Sequence, residues 1–123
     1  MSVTPQHIRD VFARYCDLLT AGDFEAIAML YAPDGTVEDP IGATQHVGRD
    51  AIREFYRSTA GTATLRLDGP VRPAGNEGAA ALIATPIGAP NMRVEIIDVM
   101  SFNYDGLITS MRAYWSADTI FTE

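Results

Sequence analysis

Apolar residues at Ile8, Val11, Phe12, Tyr15 and Leu19 recur at three- and four-residue spacing, which predicts an amphipathic helix at the start of the chain. Thr4 is placed to cap it, Pro5 suits its first position, and Ala21-Gly22 stops it. Asp23 then caps a second helix whose stripe is Phe24, Ile27, Ala28 and Tyr31, ended by Pro33-Asp34-Gly35. Thr36 to Asp39 reads as a short extended segment, because Pro40 disfavours helix at Asp39. A loop through Gly42 and Gly48 leads to a third helix from about Asp50 to Ser58, with Ile52, Phe55, Tyr56 and Thr59 on one face.

Beyond this point the rest reads as strands. Thr62 to Asp68 alternates weakly, Gly78 to Ile87 is small and apolar, and Arg93 to Tyr104 is the clearest strand. Asp105-Gly106 is a hairpin turn, and Leu107 to Trp115 returns from it. Helices followed by strands predict an α+β fold spanning residues 1–123 as a single domain. The helices should pack on one face of a curved, mostly antiparallel sheet, with a pocket between the two layers.

Composition narrows what that pocket could hold. The 123 residues are 47% hydrophobic and carry a net charge of -7, with 9 basic against 16 acidic side chains. Without a basic stripe, nucleic acid is not an expected partner, and an anionic membrane surface is disfavoured for the same reason. A neutral or apolar ligand suits the balance better. Cys16 is the sole cysteine, so no intrachain disulfide forms, which accords with a cytoplasmic location. MSVTPQHIRD has no basic patch followed by an apolar run, so no signal peptide is expected, and no stretch is long and apolar enough to span a membrane.

Asp98 is the most informative position. In RVEIIDVMSFNY it shares a face with Val94, Ile96, Met100, Phe102 and Tyr104, while Arg93, Glu95, Ile97, Val99, Ser101 and Asn103 occupy the other. A carboxylate there is costly to desolvate, so its pKa should rise, and the neutral acid can donate a hydrogen bond. A buried aspartate paired with an arginine or with backbone is the structural alternative. Tyr15, on the buried stripe of the first helix, can donate inward from its phenol, or be a core tyrosine with any partner. Tyr31 and Tyr56 fall on the apolar faces of the next two helices, so three phenols could form a chain that polarises Tyr15. Asp39 ends a strand beside Pro40, where a general base could stand at a pocket rim, or a solvated turn aspartate. His7 and His46 share no metal-ligand spacing, and Cys16 reads as a small core residue. No glycine-rich nucleotide loop or serine elbow is present.

The segments RYCDLLTAGDFEAIAMLYAPDGTVEDPIG, GRDAIREFY, IIDVMSFN and SMRAYW resemble, in order and over nearly the whole chain, the bacterial ketosteroid isomerases of the nuclear-transport-factor-2-like (SnoaL-like) superfamily. The resemblance implies a cone-shaped fold, steroid Δ5-isomerisation without a cofactor or metal, and a homodimer. It implies that Asp39 is the base, that Tyr15 and a protonated Asp98 are donors to the substrate oxygen, and that Tyr31 and Tyr56 support Tyr15. This family is itself a standard illustration of a carboxylic acid held neutral by its apolar site. Phe55, Val99, Met100, Phe102 and Trp115 are the expected apolar lining around the steroid. One stretch departs from the family: where some members carry several phenylalanines, GAAALIATPIGAPNM has no aromatic residue, so a wider or differently shaped pocket is expected.

Two other classes fit the same fold. A polyketide cyclase-like or epoxide hydrolase-like enzyme would place other polar groups in the cone, the latter an Asp-Arg-Asp set, and no arginine sits on a clearly buried face. A non-catalytic binder of small apolar molecules would not need an acid on the apolar face of a strand.

Overall fold

The computed structural model describes residues 3–123. Helix α1 runs Pro5–Ala21; the Thr4 hydroxyl accepts the His7 N–H at 3.1 Å, and Gly22 closes the helix at φ +80°. Ile8, Val11, Phe12, Tyr15 and Cys16 form its buried stripe. Helix α2 is shorter than its stripe predicts. It covers Phe24–Ala28, capped by the Asp23 side chain on the Ala26 N–H at 3.1 Å. Helix α3 covers Arg49–Thr59 and buries Ile52 and Tyr56.

Tyr31 is therefore not helical. It opens strand β1, Tyr31–Glu38, and pairs in parallel with Ile108. A buried residue four positions after Ile27 gives the same apolar signal whether it continues a helix or starts the next strand. A helix this short has little stability of its own, so sheet pairing decides. Pro33-Asp34-Gly35, expected as a helix stop, lies within β1 where its register against the neighbouring strand shifts, with Pro33 and Asp34 exposed. Gly35 suits this close approach: a Cβ would stand 3.0 Å from the Ile108 carbonyl oxygen and 3.1 Å from that of Ala32, so the backbone would have to give.

The remaining strands are β2 His46–Val47, β3 Ala63–Leu67, β4 Arg72–Ala74, β5 Glu77–Pro86, β6 Met92–Phe102, β7 Ile108–Tyr114 and β8 Ile120–Thr122. They form one eight-stranded sheet in the order β2-β1-β7-β6-β5-β3, with β4 beside β5 and β8 beside β6. All pairings but β1–β7 are antiparallel. The three helices and mostly antiparallel sheet are the α+β architecture expected. The β6 strand stops two residues short of Tyr104, which is 81% exposed. The Asn103 side-chain oxygen accepts the N–H groups of Asp105 and Leu107, each at 3.0 Å, and turns the chain early.

The core lies between α1, α3 and the inner sheet face, built from Ile8, Phe12, Ile27, Ile52, Met100, Phe102, Ile108 and Met111. The outer sheet face leaves Ile97 and Tyr114 exposed. Among the described residues no helix is long and apolar enough to cross a membrane.

Candidate active site

A cavity of about 410 Å³ opens between α1, α3 and the inner face of the sheet. That is within the usual range for sites that hold a small ligand. Tyr15, Asp39 and Asp98 all line it, from three separate elements: α1, the end of β1, and β6. Phe55, Tyr56 and Trp115 also line it, and the wall is otherwise mostly apolar.

Asp98 is 3% exposed, the one charged-type residue in the buried set. Its neighbours on the same strand face, Val94 and Ile96, line the cavity as alternation requires, and its cross-strand partners are Ala80 and Ala113. No basic side chain accompanies it, so the arginine-paired alternative does not apply. Burial pushes its carboxyl well above the ordinary carboxylate range, and the nearby charge of Asp39 pushes it further. The protonated acid is thus the form this position favours, with its O–H available to the cavity.

Asp39 is half-buried at the junction with Pro40. Burial raises its carboxyl, but two effects oppose that rise: the Trp115 indole N–H donates to Oδ1 at 2.7 Å, and His46 lies nearby. The two carboxyl groups therefore differ in environment. One has a strong donor that favours its anion; the other has a shift made only of burial and like charge. Replacing Trp115 by phenylalanine removes the donor, so Asp39 should titrate higher. A base must be ionised, so the acid limb of kcat/KM is expected to move to higher pH in Trp115→Phe, as a pH–rate profile would show; an unmoved limb contradicts this role.

The three phenols form a continuous buried chain. Tyr31 and Tyr56 hydroxyls are 2.8 Å apart, and those of Tyr56 and Tyr15 3.0 Å. Burial raises all three hydroxyls well above their ordinary range, while the bond from Tyr56 pulls Tyr15 back down. Donation in the order Tyr31, Tyr56, Tyr15 leaves the Tyr15 proton for the cavity. Tyr31 reaches this chain from β1 rather than from a helix, and its carbonyl accepts from Arg49 at 2.6 Å.

Three of the five expected lining residues lie elsewhere. Val99 has the opposite parity to Asp98 on β6 and points away from the cavity, as the alternation itself implies. Met100 and Phe102 share the Asp98 face but sit deeper, 0% and 2% exposed, in the closed core. Phe102 packs edge-on to His7 there, with ring centres 6.1 Å apart. The missed wall includes Thr62, Ala63, Ala84, Val94, Ile96 and Ala113. Of these, Val94 and Ile96 were legible from the Asp98 alternation. Cys16 is buried, with its thiol pushed up to about 12 by burial and the nearby Asp98 and Asp17 charges, as for a core cysteine. Among the described residues, no arginine lines the cavity.

The buried acid also leaves a mark on stability. An unfolded aspartate titrates near about 3.9, whereas folded Asp98 titrates well above its ordinary value. Between those values the folded chain holds more protons, so stability falls as pH rises from the unfolded value towards the folded one. Asp98→Asn lacks this loss. Thermal melts should show little difference from wild type below about pH 4 and a higher Tm for the variant that widens as pH rises through the window; a constant gap would contradict the buried-acid account.

The SnoaL-like domain model matches residues 12–111. The chain is 46% identical over 110 residues to the Steroid Delta-isomerase of Nocardioides simplex, covering 89% of each protein. It is 30% identical over 116 residues to Epoxide hydrolase LasB of Streptomyces lasalocidi, covering 87% of this chain and 40% of that protein. A solved structure of the epoxide hydrolase/cyclase-like enzyme SalBIII, which has a role in pyran ring formation in the polyether salinomycin, superposes with TM-score 0.84. It is 30% identical and covers 96% of this chain and 97% of that one.

Proposed function

The chain belongs to the SnoaL-like family, and from that membership and the cavity chemistry we propose that it is a steroid Δ5-isomerase, converting Δ5-3-ketosteroids into conjugated Δ4-3-ketosteroids. The observation that carries this reading is the pair of unlike carboxyl groups in one apolar cavity, Asp98 favoured as the acid and Asp39 held by the Trp115 N–H.

Asp39 removes a proton from the carbon between the ketone and the alkene. Negative charge builds on the ketone oxygen, and Tyr15 and protonated Asp98 donate to it. Each donor of this kind in a dry site lowers the barrier by on the order of a few kcal/mol. The base then returns the same proton two carbons along. The pair of the broken C–H bond becomes the enolate double bond as the carbonyl π pair moves onto oxygen. On return the carbonyl re-forms, that double bond shifts into conjugation, and the π pair of the original alkene takes the proton, so no net oxidation occurs. Tyr56 donates to the Tyr15 oxygen and Tyr31 to that of Tyr56, which leaves the Tyr15 proton for the substrate. Phe55 and Trp115 flank the steroid.

The relatives described as epoxide hydrolases mark the rival chemistry. An arginine in the cavity would favour it; half-buried Arg49 donates from Nη2 to the Tyr31 carbonyl and does not line the cavity. We also infer a homodimer packed through the outer sheet face, supported by exposed Ile97 and Tyr114, and a cytoplasmic location, supported by the single buried cysteine.

Mixing the protein with 5-androstene-3,17-dione and following conjugated-enone absorbance tests the reading. Enone should form catalytically. Binding of the steroid without enone formation would make the protein a binder and end the isomerase assignment.

A further inference from the structure

The cavity has a measurable long axis. Along β6, Asp98, Ile96 and Val94 line it in turn. At roughly 3.3 Å per residue, the four-residue step from Asp98 to Val94 spans about 13 Å, comparable to a tetracyclic nucleus laid with its ketone at Asp98. Each step has a cross-strand partner: Ala80 at Asp98, Leu82 at Ile96 and Ala84 at Val94. The outer step continues across β3, where Leu65 pairs with Ala84 and Ala63 with Pro86.

Two properties of this outer end bear on what it accepts. First, it is walled by small side chains, Ala63 and Ala84, with half-buried Val94 beside Ala84, and at its edge stands exposed Thr62, whose carbonyl accepts the N–H of exposed Ile87. Second, its polar side chains are occupied. The Thr62 hydroxyl donates to the Thr59 carbonyl at 2.6 Å and the Thr59 hydroxyl to the Phe55 carbonyl at 3.1 Å. Neither proton is free for a ligand, so a carbonyl on the far ring of the steroid would gain no side-chain donor here. An alkyl group would lose nothing and would cover apolar wall.

We propose that Ala63 and Ala84 are specificity-determining residues that fit this site to Δ5-3-ketosteroids bearing an apolar alkyl side chain, rather than an oxo group, at carbon 17. The inference rests on the isomerase reading above. The ketone end supplies the chemistry, and the small-residue end supplies room for the side chain to run out along Ile87.

The test compares kcat/KM for 5-cholesten-3-one, carried in cyclodextrin, with that for 5-androstene-3,17-dione. The wild type is expected to turn over the alkyl substrate at least as well as the dione. In Ala84→Phe, which extends a half-buried side chain into the outer end, the ratio of alkyl to dione kcat/KM should fall at least tenfold; in Ala84→Leu it should fall by less. A wild-type ratio below one-tenth, or equal losses on both substrates in the Ala84 variants, overturns the proposal while leaving the isomerase reading intact. Activity on neither substrate overturns both. The wild-type ratio stands as a test even if the phenylalanine variant does not fold.

Discussion

Asp39→Asn is expected to lower kcat for the isomerisation by about 10²–10⁴-fold, the usual contribution of a positioned general base. Asparagine keeps an oxygen that can accept the Trp115 N–H, so the 2.7 Å contact and the local chain path survive the change. What disappears is the lone pair basic enough to take a carbon-bound proton. KM should change little, because the steroid's contacts are with the apolar wall. A Tm at or above wild type would show that the loss is chemical, since a half-buried carboxylate has been replaced by a neutral amide. Enone absorbance under saturating steroid measures kcat directly, and activity within tenfold of wild type would remove Asp39 from the role of base.

Asp98→Leu should lower kcat by about 10²–10³-fold, as loss of one donor to a developing oxyanion does. Leucine fits the apolar surroundings of this face, so the protein should melt higher than wild type near neutral pH while turning over more slowly. Asp98→Asn separates donor from charge. Its amide N–H still donates, so its loss should be much smaller than that of leucine. The pH profile supplies a further contrast. In wild type, activity should fall as pH rises through the raised titration of Asp98 and the acid stops donating; in Asp98→Asn that limb should vanish. Equal losses for leucine and asparagine would mean that hydrogen-bond donation is not what Asp98 provides.

Most of this arrangement could be read along the chain, but not evenly. The first helix was legible because Thr4, Pro5 and Gly22 punctuate a clean apolar stripe, and its observed ends match them. Asp98 was legible because strand alternation assigns a side chain to one face, and the same rule excludes Val99 from the cavity. The rule says nothing of depth along that face. Val94 and Ile96 line the cavity while Met100 and Phe102 close the core, and which end opens depends on where the helices sit. Tyr31 shows the limit of periodicity: its spacing fits a helix, yet pairing with Ile108 places it in a strand. The short strands β2, β4 and β8 carry too few residues to show a period and owe their form to their neighbours. The Asp39–Trp115 bond joins residues far apart in sequence and has no local signature.

The central claim is that one base carries one proton from carbon 4 to carbon 6. Its most direct test uses 5-androstene-3,17-dione deuterated at carbon 4, turned over in ordinary water, with the label in the enone product located by NMR. The account predicts that product carries deuterium at carbon 6, delivered by Asp39 within the cavity. Product whose carbon 6 hydrogen comes wholly from water would contradict it.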